Sequence, residues 1–557
     1  MEEPKLSVKV PGGIGDIAWI YAKLCRRPYP VKYIPSDDRP HRSMPFIDLL
    51  PKAVGSHYGD FMAGQVIGFK GGEVTKVPEE GEHWVSANQH IEQYKRIETW
   101  LPDDVMDFHF YMDISIDEFK TADRLLRGIK HPLILYPSSV ENCKISRWKA
   151  PSWARFAKAL AEKWDMSLVL LGAEWDRELM RRIHNEFREM GMDVPQIVAQ
   201  PFGVAMAVIQ RASYFLGFQS GLGVLATMLN TPSCMLLGSH LPGLVGSWAP
   251  PHQIESGRYR GVLFQDKEHN RVDDNWEDAY KQLEGLDPAI FKEEGLIDVC
   301  IVVCDKYPLI TRIIDRHLEF CKGKYRLIVV DNASGKDVED YLLRLSNQGL
   351  IRLMRIDHRV GTARGRNIAF KFAKKEFLVS MDDDAWPRTP DWYVPLIEAL
   401  KAYPRAGLVG PCGTRNASQK GMGGWVPHGY ENAPQFGEET PSGPTGLTMD
   451  TIPGMCVGIR REALLQTEFF DPRYEPFNAE DADLCMQLKA VGWEIRIAQA
   501  EIDHAGGGQS SHRYAEAIVG RPMEQIADDS MKVFFSKWRD RDDLLEINRG
   551  GGTAESP

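Results

Sequence analysis

The segment Phe377-Leu-Val-Ser-Met-Asp-Asp-Asp-Ala-Trp386 decides the interpretation of the second half of this 557-residue chain. Its first five residues form an apolar run of strand length, and three carboxylates follow directly. Neighbouring carboxylates repel one another unless a cation or solvent relieves the repulsion. Mg²⁺ and Mn²⁺ prefer oxygen ligands and bind through one or two carboxylates together with substrate phosphates. The segment indicates a strand that ends in a metal site, with a solvated acidic turn as the alternative.

The metal ligands within this segment follow from the geometry of an extended chain. Alternate side chains of a strand point to the same side. Asp382 and Asp384 are therefore the expected pair of ligands, if the chain stays extended through them.

Short apolar runs alternate with helix-like segments through most of the chain, as they do in parallel α/β sheets. The runs include Leu133–Tyr136, Leu168–Leu171, Cys234–Leu237, Val299–Val303 and Leu327–Val330. In such sheets, ligands bind at the carboxyl ends of the strands. The residues that follow each run are therefore the candidates for function.

Four further elements of the second half carry polar or glycine residues that suit a ligand site. In chain order they are Asp331-Asn332, Gly361-Thr-Ala-Arg-Gly-Arg-Asn367, Asn478-Ala-Glu-Asp-Ala-Asp483 and Asp503-His504-Ala505. The carboxylate and the amide of the first element can read a nucleobase edge, and the second element opens a helix whose N-terminus attracts phosphate. The acidic residues of the third element can also simply cap a helix start.

The order and spacing of these five elements resemble the family 2 glycosyltransferases, which have the GT-A fold. The resemblance covers roughly Ile297 to His512, and the rhamnosyl- and galactofuranosyl-transferase branches are the most similar. It implies that Asp382 and Asp384 bind Mn²⁺ or Mg²⁺, and that His504 is a further ligand. It also implies that Asp481 is the general base toward an acceptor hydroxyl.

The same resemblance implies the remaining contacts of a nucleotide-sugar site. The residues implied to bind the nucleotide sugar are Asp331, Asn332, Gly361, Arg364, Asn367, Asp382 and Asp383. Glu480 would lie on the acceptor side, and the resemblance favours a UDP- or dTDP-sugar donor. A base on the acceptor and charge neutralisation on the departing diphosphate fit direct displacement at the anomeric carbon, so inversion is expected. The glycine-rich stretch from Gly421 to about Pro444 is predicted to be a mobile acceptor lid, with Trp425 as a sugar-stacking platform.

The first half of the chain carries a second set of motifs. They are the glycine-rich turn Gly12-Gly-Ile-Gly-Asp16, the basic stretch Lys144-Ile-Ser-Arg-Trp148 and the turn Gly217-Phe-Gln-Ser-Gly-Leu-Gly223. This series resembles the family 9, heptosyltransferase-like glycosyltransferases of the GT-B fold over about Val8 to Pro250. The resemblance implies that Asp16 is catalytic and that Ser220 and Gly221 bind the donor. Lys144 would contact the donor diphosphate.

Two positions depart from the family 9 pattern. Gln219 stands where that family has an acidic residue, and Val224 stands where it has a histidine. The identity of the donor and the activity of this half therefore stay open.

The expected fold class is α/β, with a two-lobed Rossmann-like GT-B module followed by a GT-A nucleotide-sugar-binding domain. The expected domains are an acceptor-side lobe over 1–125, a donor-side lobe over 126–290, the GT-A domain over 291–545 and a disordered tail over 546–557. The polar stretch from Pro250 to Gly295 is predicted to hold a closing helix and a linker, with little strand character.

Composition and charge limit the classes of function that are expected for this chain. Lys and Arg number 67 against 78 Asp and Glu, and the net charge of -11 argues against a broad basic surface for nucleic acid. No apolar run approaches the length of a membrane span, and the first residues lack signal-peptide features. Nine scattered cysteines indicate reduced thiols, so a cytoplasmic location is expected.

These observations favour a bifunctional glycosyltransferase that adds sugars to a glycan or glycolipid acceptor. One alternative is a single active GT-A domain beside a non-catalytic N-terminal binding module. Another is a phage-type transferase that glycosylates modified bases in DNA. A nucleotidyltransferase also uses aspartates, a metal and a nucleotide, but it does not explain the later Glu480-Asp481 and His504 elements.

Overall fold

The structure is a computed structural model. It describes residues 6–10, 14–24, 30–35, 40–51, 53–55, 81–86, 95–96, 112–138, 148–218, 220–238, 251–264, 276–293, 296–321, 323–356, 358–419, 424–432, 446–504 and 519–546. The chain divides into two compact units, Met1–Glu294 and Gly295–Pro557. The N-terminal unit contains two parallel sheets, and the C-terminal unit contains one large mixed sheet. The α/β fold class predicted from the sequence is confirmed.

The first sheet of the N-terminal unit has five parallel strands in the order β3-β2-β1-β4-β5. The strands are β1 Leu6–Val10, β2 Val31–Pro35, β3 Ala53–Gly55, β4 Gly81–Ser86 and β5 Lys95–Arg96. The helices of this part of the chain are α1 Ile14–Leu24, α2 Pro40–Ile47 and α3 Ile116–Leu125. Parallel neighbours need a crossover connection, and α1 provides the one between β1 and β2.

The second sheet has six parallel strands in the order β11-β10-β9-β6-β7-β8. The strands are β6 Pro132–Tyr136, β7 Ser167–Gly172, β8 Gln196–Val198, β9 Tyr214–Phe218, β10 Ser233–Gly238 and β11 Tyr259–Phe264. The helices are α4 Ala150–Trp164, α5 Arg177–Glu189, α6 Phe202–Arg211, α7 Gly221–Met228, α8 Pro251–Glu255, α9 Trp276–Leu283 and α10 Ala289–Lys292. Fully buried Trp153 and Trp164 of α4 fill the core on this sheet.

The prediction of little strand character between Pro250 and Gly295 is wrong at one place. Tyr259–Phe264 forms β11, which pairs with β10 along its whole length. Tyr259 and Val262 are buried there, so two apolar side chains and a free sheet edge suffice for a strand that the polar surroundings conceal. The helical part of the stretch is present as α9 and α10.

The first turns of α1 and α7 pack against each other through glycine. A Cβ added to Gly221 would lie 2.6 Å from the Cβ of Ile14 and 3.0 Å from the backbone nitrogen of Gly15. Ser220 caps α7, since its hydroxyl accepts a hydrogen bond from the N–H of Gly223 at 3.2 Å. The two glycine-rich motifs of the first half therefore meet at paired helix N-termini.

The large sheet of the C-terminal unit has the order β14-β13-β12-β15-β20-β17-β21. The strands of this unit are β12 Ile297–Val303, β13 Tyr325–Asn332, β14 Arg352–Ile356, β15 Phe377–Met381, β16 Ala385–Pro387, β17 Ala406–Gly410, β18 Cys412–Gln419, β19 Gly424–Asn432, β20 Cys456–Arg460, β21 Glu494–Ile497 and β22 Ile502–His504. β12 to β15 run parallel, whereas β20 is antiparallel to β15 and β17. The carboxyl ends of β12, β13 and β15 therefore share one edge.

The C-terminal unit also contains the helices described next. They are α11 Leu309–Cys321, α12 Lys336–Asn347, α13 Thr362–Phe372, α14 Val394–Ala402, α15 Arg461–Leu464, α16 Glu480–Ala490 and α17 Met523–Trp538. Among the described residues, short 3₁₀ helices are Glu174–Asp176, Pro472–Tyr474 and Asp542–Leu544. Every residue of β13 is buried, as expected for a parallel strand covered on both faces.

Part of the stretch predicted to be a lid, Gly421 to Pro444, forms a strand instead. Gly424–Asn432 is strand β19, and it pairs antiparallel with β18, Cys412–Gln419. Aromatic and β-branched residues in this stretch favour a strand, and the hairpin partner satisfies its backbone. The rest of the predicted lid lies outside the described residues.

A search of the described residues for a helix long and apolar enough to cross a membrane gives none.

A buried histidine links α11 to the sheet. His317 is fully buried, and its Nδ1 lies 3.2 Å from the Tyr325 hydroxyl, which itself donates to the carbonyl of His317. The ring also packs edge-on against Trp392 at 5.7 Å between centroids. Burial lowers the pKa of His317 from 6.5 to about 3, so the ring is neutral in the folded protein.

We predict that this histidine destabilises the C-terminal unit in mild acid. Below the unfolded pKa the unfolded chain binds a proton that the folded chain rejects, so stability is full at neutral pH and falls as the pH drops below 6.5. At about pH 5 the cost is about 2 kcal/mol. His317→Phe keeps a ring but not the titration. Urea unfolding at neutral pH and at about pH 5 measures how much free energy of unfolding each protein loses. The loss should be smaller by that amount in the variant, and equal losses in both proteins would contradict the prediction.

Candidate functional site

A cleft of about 300 Å³ lies at the edge where β12, β13 and β15 end. Its walls come from the residues after these strands, from α13, from the start of α16 and from Met523 of α17. The lining residues are Val302, Cys304, Lys306, Asn332, Val360, Thr362, Arg366, Met381, Asp382, Asp383, Asp384, Phe477, Asn478, Ala479, Glu480, Asp481 and Met523. The aspartate segment and the Glu-Asp pair, far apart in sequence, thus face one space.

Strand pairing brings His504 to the aspartates. One ligand atom from each of Asp382, Asp384 and His504 lies within 4.8 Å of the others. β16 begins at Ala385, directly after Asp384, and pairs antiparallel with β22 so that Ala385 lies opposite His504. His504 Nε2 lies 3.1 Å from Asp384 Oδ1. This hydrogen bond raises the pKa of His504 above its ordinary value.

These three side chains fit a divalent cation. Each offers one ligand atom, and these atoms lie within 4.8 Å of one another, close enough for the group to hold one metal ion. Two carboxylates and an imidazole therefore form a donor set for a hard or intermediate metal ion.

The prediction that an extended chain brings Asp382 and Asp384 to the same side is wrong, because the chain does not stay extended through the aspartates. It turns after Met381, and the N–H of Ala385 donates to the carbonyl of Asp382 at 3.2 Å. The closing β16–β22 pair and the turn together place Asp382 and Asp384 in one cluster.

Asp383 has different partners. Its Oδ1 accepts from Lys306 Nζ at 2.5 Å, and its Oδ2 accepts from the backbone N–H of Cys304 at 3.3 Å. Asp383 thus ties the end of β15 to the end of β12. Lys306 is not among the site residues predicted from the sequence, although the rule that selects residues after strand ends applies to it as well.

Arg366 is the second site residue that the sequence analysis misses. Its guanidinium donates to Asp382 Oδ1 at 2.5 Å and to Glu480 Oε1 at 3.2 Å, and it is 5% exposed. It thereby joins the two acidic groups across the cleft. Helical spacing in the sequence could have identified Arg366 as buried, since Ala363, Arg366 and Phe370 share the buried face of α13.

The Glu-Asp pair occupies the first turn of α16, where carboxylates are favoured. Asp481 Oδ2 accepts from the N–H of Gly454 at 2.8 Å, and Oδ1 accepts from the N–H of Ala482 at 2.7 Å. Burial and the neighbouring charge of Asp481 together raise the pKa of Glu480 to about 7, although Arg366 opposes both effects. A fixed carboxylate thus lies beside a group that titrates near neutrality.

Backbone strain and a buried anchor set this turn. Asn478 and Ala479 have φ values of +87° and +66°, in the left-handed region that costs about 1–3 kcal/mol per residue. Two residues beyond Asp481, fully buried Asp483 accepts from Tyr474, Gln487, Lys537 and Trp538. Asp483 fastens the first turn of α16 to α17, which explains why a third acidic residue is present.

Asp331 and Asn332 make hydrogen bonds within the protein. Fully buried Asp331 accepts from the N–H of Ser334 at 3.0 Å and from Arg355 Nε at 3.1 Å. The amide of Asn332 bonds both backbone groups of Val360, each at 2.8 Å. Asn332 lines the cleft, and contact of this pair with a nucleobase stays a prediction.

The helix-opening motif also has protein partners. A Cβ on Gly361 would lie 2.3 Å from Cγ of Glu475, so glycine allows this close approach. Arg364 pairs with Glu475 at 3.0 Å. The amide of Asn367 bonds the backbone of Phe470 at 2.8 and 3.0 Å. Their roles toward a nucleotide sugar stay predictions.

Three predicted residues lie wholly or partly outside the described part. Lys144 lies in the undescribed stretch 139–147. Asp16 lies in α1 and Trp425 in β19, and the side chains of both are outside the described residues. Ser220 and Gly221 are placed at the N-terminus of α7, against the first turn of α1.

Comparison with protein families gives two matches. The family "Glycosyltransferase family 9 (heptosyltransferase)" matches residues 82–269. The family "Glycosyl transferase family 2" matches residues 298–466. Both predicted resemblances, and their order along the chain, are confirmed. A search of curated proteins gives no significant match.

Solved structures are similar to parts of the chain. E. coli ADP-heptose LPS heptosyltransferase II is 14% identical over 52% of this chain and 99% of its own, with a TM-score of 0.36. S. aureus TarS 1–349 is 15% identical over 44% of this chain and 73% of its own, with a TM-score of 0.29. GalNAc-T7 is 18% identical over 38% of this chain, with a TM-score of 0.30. The alignment spans 44% of the GalNAc-T7 chain.

The two family matches lie in separate compact units, and both families consist of glycosyltransferases. The chain is therefore a glycosyltransferase in which a family 9 portion precedes a family 2 portion.

Proposed function

We propose that the C-terminal unit transfers a sugar from a nucleotide-diphosphate sugar to an acceptor hydroxyl, with a divalent cation and with inversion. We further propose that the N-terminal unit is a second transferase, which makes the chain bifunctional. The observation that supports the first proposal best is that Asp382 and Asp384 line one cleft together with the Glu480-Asp481 pair, and that His504 lies beside these two aspartates. UDP- or dTDP-sugar remains the proposed donor, and a glycan or glycolipid the proposed acceptor.

Asp382, Asp384 and His504 would hold the cation on the donor side. A bound Mn²⁺ or Mg²⁺ supplies positive charge to the diphosphate that leaves the sugar. Arg366 lines the same cleft and holds the Asp382 carboxylate in place, since its buried guanidinium donates to both Asp382 and Glu480.

Asp481 would serve as the base. The acceptor oxygen bonds to the anomeric carbon while the bond from that carbon to the diphosphate oxygen breaks, and the acceptor proton passes to an Asp481 carboxylate oxygen. Two backbone N–H groups hold this carboxylate, and each oxygen keeps a lone pair for the acceptor. Attack from the side opposite the diphosphate inverts the anomeric carbon. Glu480 and Trp425 are proposed to contact the acceptor.

The proposal for the N-terminal unit is supported by the meeting of α1 and α7. Asp16 lies in the first turn of α1, and Ser220 and Gly221 start α7, so the two motifs come together at two helix N-termini. Positive helix ends stabilise a diphosphate without a metal. Lys144 is proposed to add a positive charge.

Nucleotide binding tests both proposals on the full chain. The melting temperatures of the two units should be measured with UDP, TDP, GDP, ADP and CMP, with Mn²⁺ or with EDTA. A ligand that binds only the native state raises the melting temperature of its unit. We expect one nucleotide to stabilise the C-terminal unit only with Mn²⁺, and Asp384→Ala to abolish the effect. Asp391→Ala, which removes an exposed aspartate of the same unit, is the control.

Two results would contradict parts of this account. If every nucleotide leaves the C-terminal unit unchanged under both conditions, the proposal for that unit is wrong. If no nucleotide stabilises the N-terminal unit and Asp16→Asn leaves all products unchanged, the chain has a single active unit.

Asp481→Asn tests the assignment of the base. We expect kcat to fall by about 10²- to 10⁴-fold, because proton acceptance is lost, while the donor KM changes little. The release of nucleoside diphosphate from the nucleotide sugar measures this, and pyrophosphate release would instead indicate nucleotidyl transfer. A variant with near-normal kcat would exclude Asp481 as the base, and Asp391→Asn is the matched control.

A further inference from the structure

A basic side chain reaches the aspartate cluster from a neighbouring strand. Lys306 follows the end of β12 by three residues and lines the cleft. Its Nζ lies 2.5 Å from Asp383 Oδ1 and 3.8 Å from Asp384 Oδ2. The ammonium group is therefore close to a proposed ligand of the cation, and it belongs to the same cleft.

The loop that carries Lys306 is fixed at several points. Asp305 and Lys306 have φ values of +54° and +62°, which few residues other than glycine adopt. The Asp305 carboxylate accepts from the N–H of Gly335 at 2.5 Å and pairs with Arg359. The N–H of Cys304 donates to Asp383. Lys306 thus extends from a loop that the fold holds close to the aspartates.

The charges in the cluster are partly balanced by the protein itself. Arg366 pairs with Asp382, and Lys306 pairs with Asp383. Asp384 is shared by His504 at 3.1 Å and by Lys306 at the longer distance of 3.8 Å. The two permanent cations therefore reduce the net negative charge that a divalent cation would meet.

We propose that Lys306 makes cation binding at Asp382, Asp384 and His504 depend on the diphosphate of the donor, an inference that rests on the proposed function. Without nucleotide, a dication beside Asp384 is repelled by the ammonium of Lys306, and burial strengthens the repulsion. A diphosphate adds negative charge and gives Lys306 a second partner, so the ammonium turns from Asp384 toward the phosphate and repels the cation less than it does without nucleotide. Cation and diphosphate therefore bind cooperatively, and by linkage each raises the affinity of the other by the same factor.

Electron paramagnetic resonance of free Mn²⁺ measures this coupling on the full chain. Mn²⁺ is titrated alone and with the nucleoside diphosphate that stabilises the C-terminal unit, with a nucleotide blank to subtract Mn²⁺ held in solution. Lys306→Met removes the charge but keeps an unbranched side chain. We expect it to raise the affinity for Mn²⁺ alone by about ten-fold or more, and to reduce the nucleotide-dependent gain by a similar factor.

Three further variants separate the effect of the Lys306 charge from general effects. Lys324→Met removes a lysine from an exposed pair with Asp391 and should leave both affinities unchanged. Lys306→Arg keeps the charge and should keep the coupling. Asp384→Ala should abolish the Mn²⁺ binding in every background.

The outcomes distinguish this inference from the proposed function. If Mn²⁺ binds in an Asp384-dependent way but Lys306→Met leaves its nucleotide-free affinity unchanged or weaker, the role of Lys306 is wrong and the metal site stands. If neither protein binds Mn²⁺ with or without UDP, TDP, GDP or ADP, the proposed metal-dependent function itself is wrong.

Discussion

Three successive aspartates at the end of a buried strand create a concentration of negative charge that the fold has to balance. Arg366 approaches from α13, Lys306 from the loop after β12, and His504 from β22. Each contact depends on a different structural element, namely a helix face, a loop with left-handed residues and a two-stranded pairing. Removing one partner from a buried charge pair is strongly destabilising, because the remaining charge has no counterion. These three elements therefore contribute to the same balance of charge at the aspartates.

The acceptor side of the cleft depends on this cluster through Arg366. The same guanidinium that bonds Asp382 also bonds Glu480, one residue before the proposed base. Asp483 then fixes the first turn of α16 against α17 through Lys537 and Trp538, and it also accepts from Tyr474 and Gln487. The donor and acceptor sides of the cleft are thus connected through Arg366. A substitution of Asp382 is therefore expected to affect the position of Glu480, and the reverse.

The sequence predicts the strands and the edge at which the site lies, because apolar runs and the polar residues after them are local signals. The sequence does not predict which of these polar side chains form hydrogen bonds with other parts of the protein. Asn332 and Asn367 bond the backbones of Val360 and Phe470, 28 and 103 positions away, and no local pattern indicates such distant partners. Arg366 and Lys306 could have been identified from helical spacing and from the strand-end rule. Strand β11 escapes prediction because its sheet partner, rather than its own composition, stabilises it.

The central claim is that the aspartate cluster and the Glu-Asp pair form one metal-dependent transfer site. A crystal structure of the full chain with Mn²⁺ and the stabilising nucleoside diphosphate, with anomalous diffraction data for manganese, tests it most directly. We expect one strong anomalous peak bounded by Asp382, Asp384 and His504, with the diphosphate beside it and Asp481 facing the same cleft. A well-occupied nucleotide with no manganese at these three residues, or with manganese bound elsewhere, would contradict it.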